Sequence, residues 1–160
     1  MFSLSIHKRK FPHRYLNGSV YFITCTLHPE FLFTGVLSND EILYIKRSML
    51  FWHEKRWFCH SLTIMPDHAH LVVSILPDNN EHELIGKLLA SVKGHSAREL
   101  NKLRNRKGIV WLHESYDRII RNENEYWEKM KYIYENAMKR GLVEDGRLYI
   151  GYWSADHFPE

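Results

Sequence analysis

Cysteine, long apolar runs and acid between Lys87 and Lys107 are all scarce in this chain. Its two cysteines, Cys25 and Cys59, stand alone inside strand-like apolar runs. Isolated in this way they build neither a disulfide framework nor a metal knuckle, and they read as buried free thiols. No run approaches the roughly 18 to 20 consecutive apolar residues of a membrane span. The opening residues, with His7, Lys8, Arg9 and Lys10, lead into no apolar segment of the kind a secretion signal carries. A cytoplasmic protein with no membrane partner is expected. No phosphate-cradling glycine loop, serine hydrolase motif or Cys/His nucleophile pair is visible, so those chemistries lack their parts. Nor is there an internal repeat, a low-complexity segment or a linker. Residues 1–160 therefore read as one domain, and its 44% hydrophobic and 14% aromatic content suffices for a core.

What charge there is lies unevenly. The total is 22 basic against 19 acidic residues, a formal +3. Lys8, Arg9, Lys10 and Arg14 cluster near the start, and Lys87, Lys93, Arg98, Lys102, Arg104, Arg106 and Lys107 fill a stretch in which Glu99 is the lone acid. Such runs suit a polyanion such as nucleic acid. A solvated helix face and a basic arm are the plainer reading of the same residues.

A basic arm over residues 1–19 ends in the turn Asn17-Gly18-Ser19, and Val20–Thr26, rich in β-branched and aromatic residues, is the first strand. Ser38-Asn39-Asp40-Glu41 opens a helix whose apolar positions Ile42, Ile45, Met49 and Trp52 or His53 carry it to about Arg56. Phe58 to Met65 alternates as a second strand, and the turn pair Pro66-Asp67 folds it back into a third that starts at His68. From Glu83 the residues Leu84, Leu88, Val92, Leu100 and Leu103 follow a helical period, with Gly94 a weak point. Short extended runs at 109–112 and 116–120 come next. Asn122 to Glu125 then opens a helix to about Arg140, stopped by Gly141. The aromatic tail within 144–160 is expected to pack on the domain. This order of elements describes an α+β fold, a ferredoxin-like sandwich with an antiparallel sheet and one additional C-terminal helix.

Two stretches carry chemistry. In Met65-Pro66-Asp67-His68-Ala69-His70-Leu71 the alternation of a strand puts His68 and His70 on one face with Val72 and Ser74, while Ala69, Leu71, Val73 and Ile75 face a core. Two imidazoles side by side on a face outside the core can hold a metal. On the last helix, Tyr126, Met130, Ile133 and Ala137 form the core stripe at 100° per residue, whereas Tyr132 lies off it and Asn136 follows one turn later. A divalent ion held by His68, His70 and the Asn136 oxygen can polarise a phosphate oxygen while the Tyr132 hydroxyl attacks phosphorus. The donor set favours a first-row ion or Mn²⁺, with Mg²⁺ suitable when phosphate and water complete the shell.

With these residues in place the chain resembles the single-tyrosine HUH transposases of bacterial insertion sequences, and most closely their REP-associated tyrosine branch. The resemblance rests on Tyr21-Phe22-Ile23-Thr24, the Met65–Leu71 stretch, Ser91-Val92-Lys93-Gly94, Trp111, Tyr116-Asp117-Arg118, and Tyr132 through Leu142. It implies a catalytic domain over the whole chain, with His68 and His70 as metal ligands, Tyr132 as nucleophile and Asn136 completing the site. It implies a divalent cofactor, Mg²⁺ or Mn²⁺, and a single-stranded or hairpin DNA partner that is cut to a 5′-phosphotyrosine and a free 3′-hydroxyl. The branch commonly has Asn-Pro where this chain has Asn136-Ala137, so the helix is expected to run on here. Relatives act as dimers that exchange the tyrosine helix or, in the REP-associated branch, as monomers. Arg14, Lys93 and Arg98 are the candidate phosphate contacts, Arg118 is either a DNA contact or a partner of Asp117, and Tyr116 or Trp111 is a candidate stacking platform. A domesticated, non-cleaving DNA-binding protein and a water-using phosphodiesterase are the alternatives.

Overall fold

The computed structural model describes residues 19–76 and 81–155, and only the backbone of 81–84. Arg14 and most of the basic arm lie outside the described residues, as does the end of the tail. The order is β1 (Val20–Thr26), α1 (Pro29–Leu32), α2 (Asn39–Leu50), β2 (Trp57–Ile64), β3 (His68–Ile75), α3 (Glu81–Leu103), β4 (Tyr116–Ile120), α4 (Glu123–Lys139), a 3₁₀ turn and β5 (Tyr152–Ser154). Among the described residues the strands form one antiparallel sheet in the order β4-β1-β3-β2-β5. Its first four strands have the arrangement of a ferredoxin-like sandwich, and the tail supplies a fifth.

Alternation along β1 explains how the sheet is buried. Tyr21, Ile23 and Cys25 join Ala69, Leu71 and Val73 in a core closed by Ile42, Ile45 and Met49 of α2 and Leu88, Val92 and Leu100 of α3. Val20, Phe22, Val72 and Ile120 project to the other side, where Tyr126, Met130, Ile133 and Ala137 of α4 cover them. The face that bears the histidines was expected to lie outside the core; instead it is a second core. The stripe on α4 needs apolar partners, and Phe22 and Val72 supply them.

Local chemistry sets the element ends. Ser38 caps α2 in a full capping box with Glu41. That helix stops at Leu50, short of the expected Arg56, because the Trp52 carbonyl collects the amides of Lys55, Arg56 and Trp57 in a turn where Glu54 takes φ 63°. Asn122 caps α4, which runs through Ala137 to Lys139 and ends at Gly141 with φ 71°. Gly94 does not interrupt α3, and Leu103 at its end is exposed rather than packed. In the tail, Tyr149 donates to the Ile64 carbonyl at 2.6 Å. Gly151 passes so close to that carbonyl that a Cβ there would collide with it. Both cysteines are free and buried.

Candidate active site

The site is built where β1, β3 and α4 meet. Register places Thr24 of β1 opposite His70 of β3, and the Thr24 Oγ1 lies 2.8 Å from His70 Nδ1. One residue before the strand, Asp67 Oδ1 lies 2.7 Å from His68 Nδ1. The Asp67 carboxylate is held in turn by Arg140 just past α4, at 2.8 and 3.4 Å. An ionised carboxylate only accepts, so Nδ1 of His68 carries a hydrogen, and the ligating, neutral form of the ring presents its lone pair at Nε2. The two imidazoles stand 4.6 Å apart, centroid to centroid.

His70 supplies the decisive detail. It is buried, and among the described residues its Nε2 has no hydrogen-bond partner. A buried nitrogen without a partner is costly unless something outside the chain completes it. Burial, helped by His68 and Lys129 and opposed by Asp67, pushes the His70 pKa down to about 3, so its ring is neutral near pH 7. A neutral ring is the ligating form. If the Thr24 hydroxyl accepts from Nδ1, Nε2 is the free lone pair. Among the described residues no group of three or more His, Cys, Asp and Glu side chains forms a metal cluster. A divalent ion would therefore keep open positions for water and a phosphate oxygen, and the residues present fit such an ion.

Tyr132 is the group that α4 brings here. Its ring is 5.2 Å from the His70 ring and 6.0 Å from Phe22, edge-on to both. It is 41% exposed, whereas Tyr126 and Tyr134 are buried. Its hydroxyl makes no hydrogen bond among the described residues. The other helix tyrosines are committed: Tyr126 to His60 at 2.9 Å and Tyr134 to Asp145 at 2.8 Å. Lys129 lies 4.7 Å above the Phe22 ring and Lys139 5.9 Å above the Tyr132 ring, so two cations flank the tyrosine. Asn136 follows one turn on and is buried, and its carboxamide makes no hydrogen bond among the described residues.

The helix is tied at both ends. At the start, Glu125 takes the Arg118 guanidinium and the Arg121 amide. Nearby, Tyr126 reaches His60, whose second nitrogen meets Ser74 at 3.0 Å. At the end stands the Arg140–Asp67 pair. Tyr132 thus sits midway along a helix fixed to the same sheet that carries the histidines.

The other expected contacts lie elsewhere. Lys93 gives its ammonium to the carbonyls of Leu112 and His113 and to Ser115 Oγ, at 2.6 to 3.1 Å, which shapes the approach to β4. Arg118 pairs with Glu125 rather than with Asp117. Arg98 is exposed on α3, in the layer opposite α4. Trp111 is buried with its indole donating to Ser96, which removes it as a stacking platform, whereas Tyr116 is exposed. Sequence reasoning passed over Thr24, Asp67, Lys129 and Arg140. Asp67 stood beside His68, and Lys129 stood one turn before Tyr132, as visible signals.

Two predictions arise from this geometry. Asp67→Ala, which frees His68 Nδ1, is expected to weaken Mn²⁺ binding about 10- to 100-fold, with Arg140→Ala giving a smaller loss. Titration followed by electron paramagnetic resonance measures both, and unchanged affinity in Asp67→Ala would contradict the arrangement. The second concerns pH. Burial, with His53 adding to it, also pushes His60 down to about 3 from an ordinary 6.5. The unfolded chain then binds more protons below about pH 6.5, so stability declines as pH falls through that window. The metal-free thermal midpoint should drop between pH 7 and 4.5, and His60→Gln should show a shallower slope; an equal slope speaks against it.

No protein-family model matches the chain. A curated protein of Haemophilus influenzae named as a REP-associated tyrosine transposase is 26% identical over 141 residues, spanning 81% of this chain and 76% of that protein. A solved REP-associated tyrosine transposase bound to a REP hairpin superposes with TM-score 0.60 and 18% identity, over 90% of this chain and 79% of that one. At that identity the superposition speaks for the fold.

Proposed function

We infer that the chain belongs to the REP-associated tyrosine transposases, and that it cuts and rejoins single-stranded DNA beside a hairpin through a covalent bond at Tyr132. One observation carries this reading: the off-core tyrosine of α4 lies against His70, whose buried Nε2 has no partner among the described residues. The named Haemophilus relative and the fold of the hairpin-bound transposase support it.

His68 and His70 would hold Mg²⁺ or Mn²⁺ through Nε2, with Asn136 the candidate for an oxygen ligand. When bound, the ion supplies Lewis-acid polarisation of a non-bridging phosphate oxygen. The chain's own groups do the rest. Tyr132 Oη loses its proton and attacks the scissile phosphorus, the Oη–P bond forms and the P–O3′ bond breaks, and the released 3′-oxygen takes up a proton, so no net proton is gained or lost. The 5′-phosphate stays on the tyrosine, so the bond energy is kept and no nucleotide cofactor is needed. Attack by a second 3′-hydroxyl reverses the step and joins strands. Lys129 and Lys139 offset the phosphate charge. The packing of α4 on its own sheet supports a site assembled within one chain.

Labelled hairpin DNA with a single-stranded flank, incubated with the protein and Mn²⁺ or Mg²⁺, is expected to yield a cut strand and a protein–DNA band that survives denaturation. Cutting with no such band would point to water as nucleophile. Binding with no cutting would point to a domesticated DNA-binding protein.

A further inference from the structure

The loop between β1 and α2 combines a rigid frame with an exposed aromatic ring. Its frame is Arg104, just beyond α3. That guanidinium grips Glu41 through two nitrogens at 2.7 and 2.9 Å, and donates to Thr34 Oγ1 and to the carbonyls of Phe31, Gly35 and Val36 at 2.8 to 3.4 Å. It also lies 4.0 Å above the Phe31 ring, which is fully buried. Amides of Phe33, Thr34 and Gly35 close local turns on Pro29, Phe31 and Leu32. With its polar groups turned inward, the loop leaves Phe33 92% exposed and Val36 62% exposed.

Single exposed apolar residues need no explanation, but a phenylalanine this bare on a loop this constrained presents its ring at low conformational cost. Its surroundings indicate what meets it. The loop is fastened to the turn that precedes His68 by Leu27 N to Asp67 O at 3.1 Å and Leu37 N to Pro66 O at 3.0 Å. It therefore stands at the histidine end of the sheet. The segment bearing Arg104 carries exposed Lys102 and Lys107 as well, and from Leu100 to His113 it contains no acid. Of the loop's nearby carboxylates, Glu41 is neutralised by Arg104 and Asp67 by Arg140, which leaves the exposed Glu30 and Asp40. An aromatic face beside a basic segment matches an unpaired base with its phosphates.

We propose that Phe33 is a stacking residue for one unpaired base in the single-stranded arm that runs from the hairpin past the active site. The proposal rests on the DNA-cutting function inferred above, and its test separates the two. Binding is read by fluorescence anisotropy with a blunt hairpin and with the same hairpin carrying a single-stranded arm. Phe33→Ala is expected to weaken binding of the armed hairpin by roughly tenfold, to leave the blunt hairpin unchanged, and to leave the thermal midpoint unchanged because the ring is exposed. Phe33→Trp should retain affinity. An abasic nucleotide stepped along the arm should, at one position, weaken binding to the native chain equally and add nothing in Phe33→Ala. Unchanged affinity in Phe33→Ala, an equal loss on the blunt hairpin, or a changed oligomeric state in its place overturns the stacking role while the inferred function stands. A native chain that binds neither hairpin overturns both.

Discussion

Replacing Tyr132 by phenylalanine is expected to abolish the covalent protein–DNA product and to lower strand cutting by about 10⁴-fold or more, the scale on which loss of a nucleophile acts. The substitution removes one oxygen. The ring contacts with His70 and Phe22 need only the ring, and the hydroxyl holds no partner among the described residues, so fold and thermal midpoint should not move. Four of the other tyrosines are poor substitutes. Those of Tyr126, Tyr134 and Tyr149 have their hydroxyls engaged with His60, Asp145 and the Ile64 carbonyl, and Tyr152 is buried. Residual adduct in Tyr132→Phe would show that another nucleophile serves the site.

The second large effect belongs to the histidines. His70→Ala is expected to remove measurable Mn²⁺ binding and to reduce cutting by roughly 10³-fold, since an ion with two protein nitrogens cannot spare one. His68→Ala should behave alike. His70→Ala also relieves a buried nitrogen that lacks a partner in the described residues, so its metal-free stability should fall less than truncation of a buried ring ordinarily costs. Hairpin binding at low salt should persist in both variants, because affinity for phosphates is spread over the basic surface. A variant that lost metal binding yet kept full cutting would separate the ion from the chemistry.

The parts of this site that follow a local period were legible in the sequence. The bounds of β1, the shared face of His68 and His70, and the stripe of α4 that leaves Tyr132 aside all rest on alternation or on a 100° step. What depends on pairing between distant segments was not. Thr24 meets His70 only through the β1–β3 register, and Arg140 meets Asp67 across 73 residues. The face holding the histidines was read as outside the core because β3 alone does not reveal that α4 lies over it. Charge was the least informative signal: Lys93 and Arg118 carry the right sign for phosphate, yet loop carbonyls hold one and Glu125 the other.

A histidine pair and a tyrosine from a helix some sixty residues later are joined at one place on the sheet. Mass mapping of the protein after reaction with hairpin DNA and Mn²⁺ tests that union most directly. A nucleotide-derived mass on the peptide containing Tyr132, absent when His70 is replaced by alanine, is the predicted result. The same mass on another residue, or on Tyr132 regardless of His70, would contradict it.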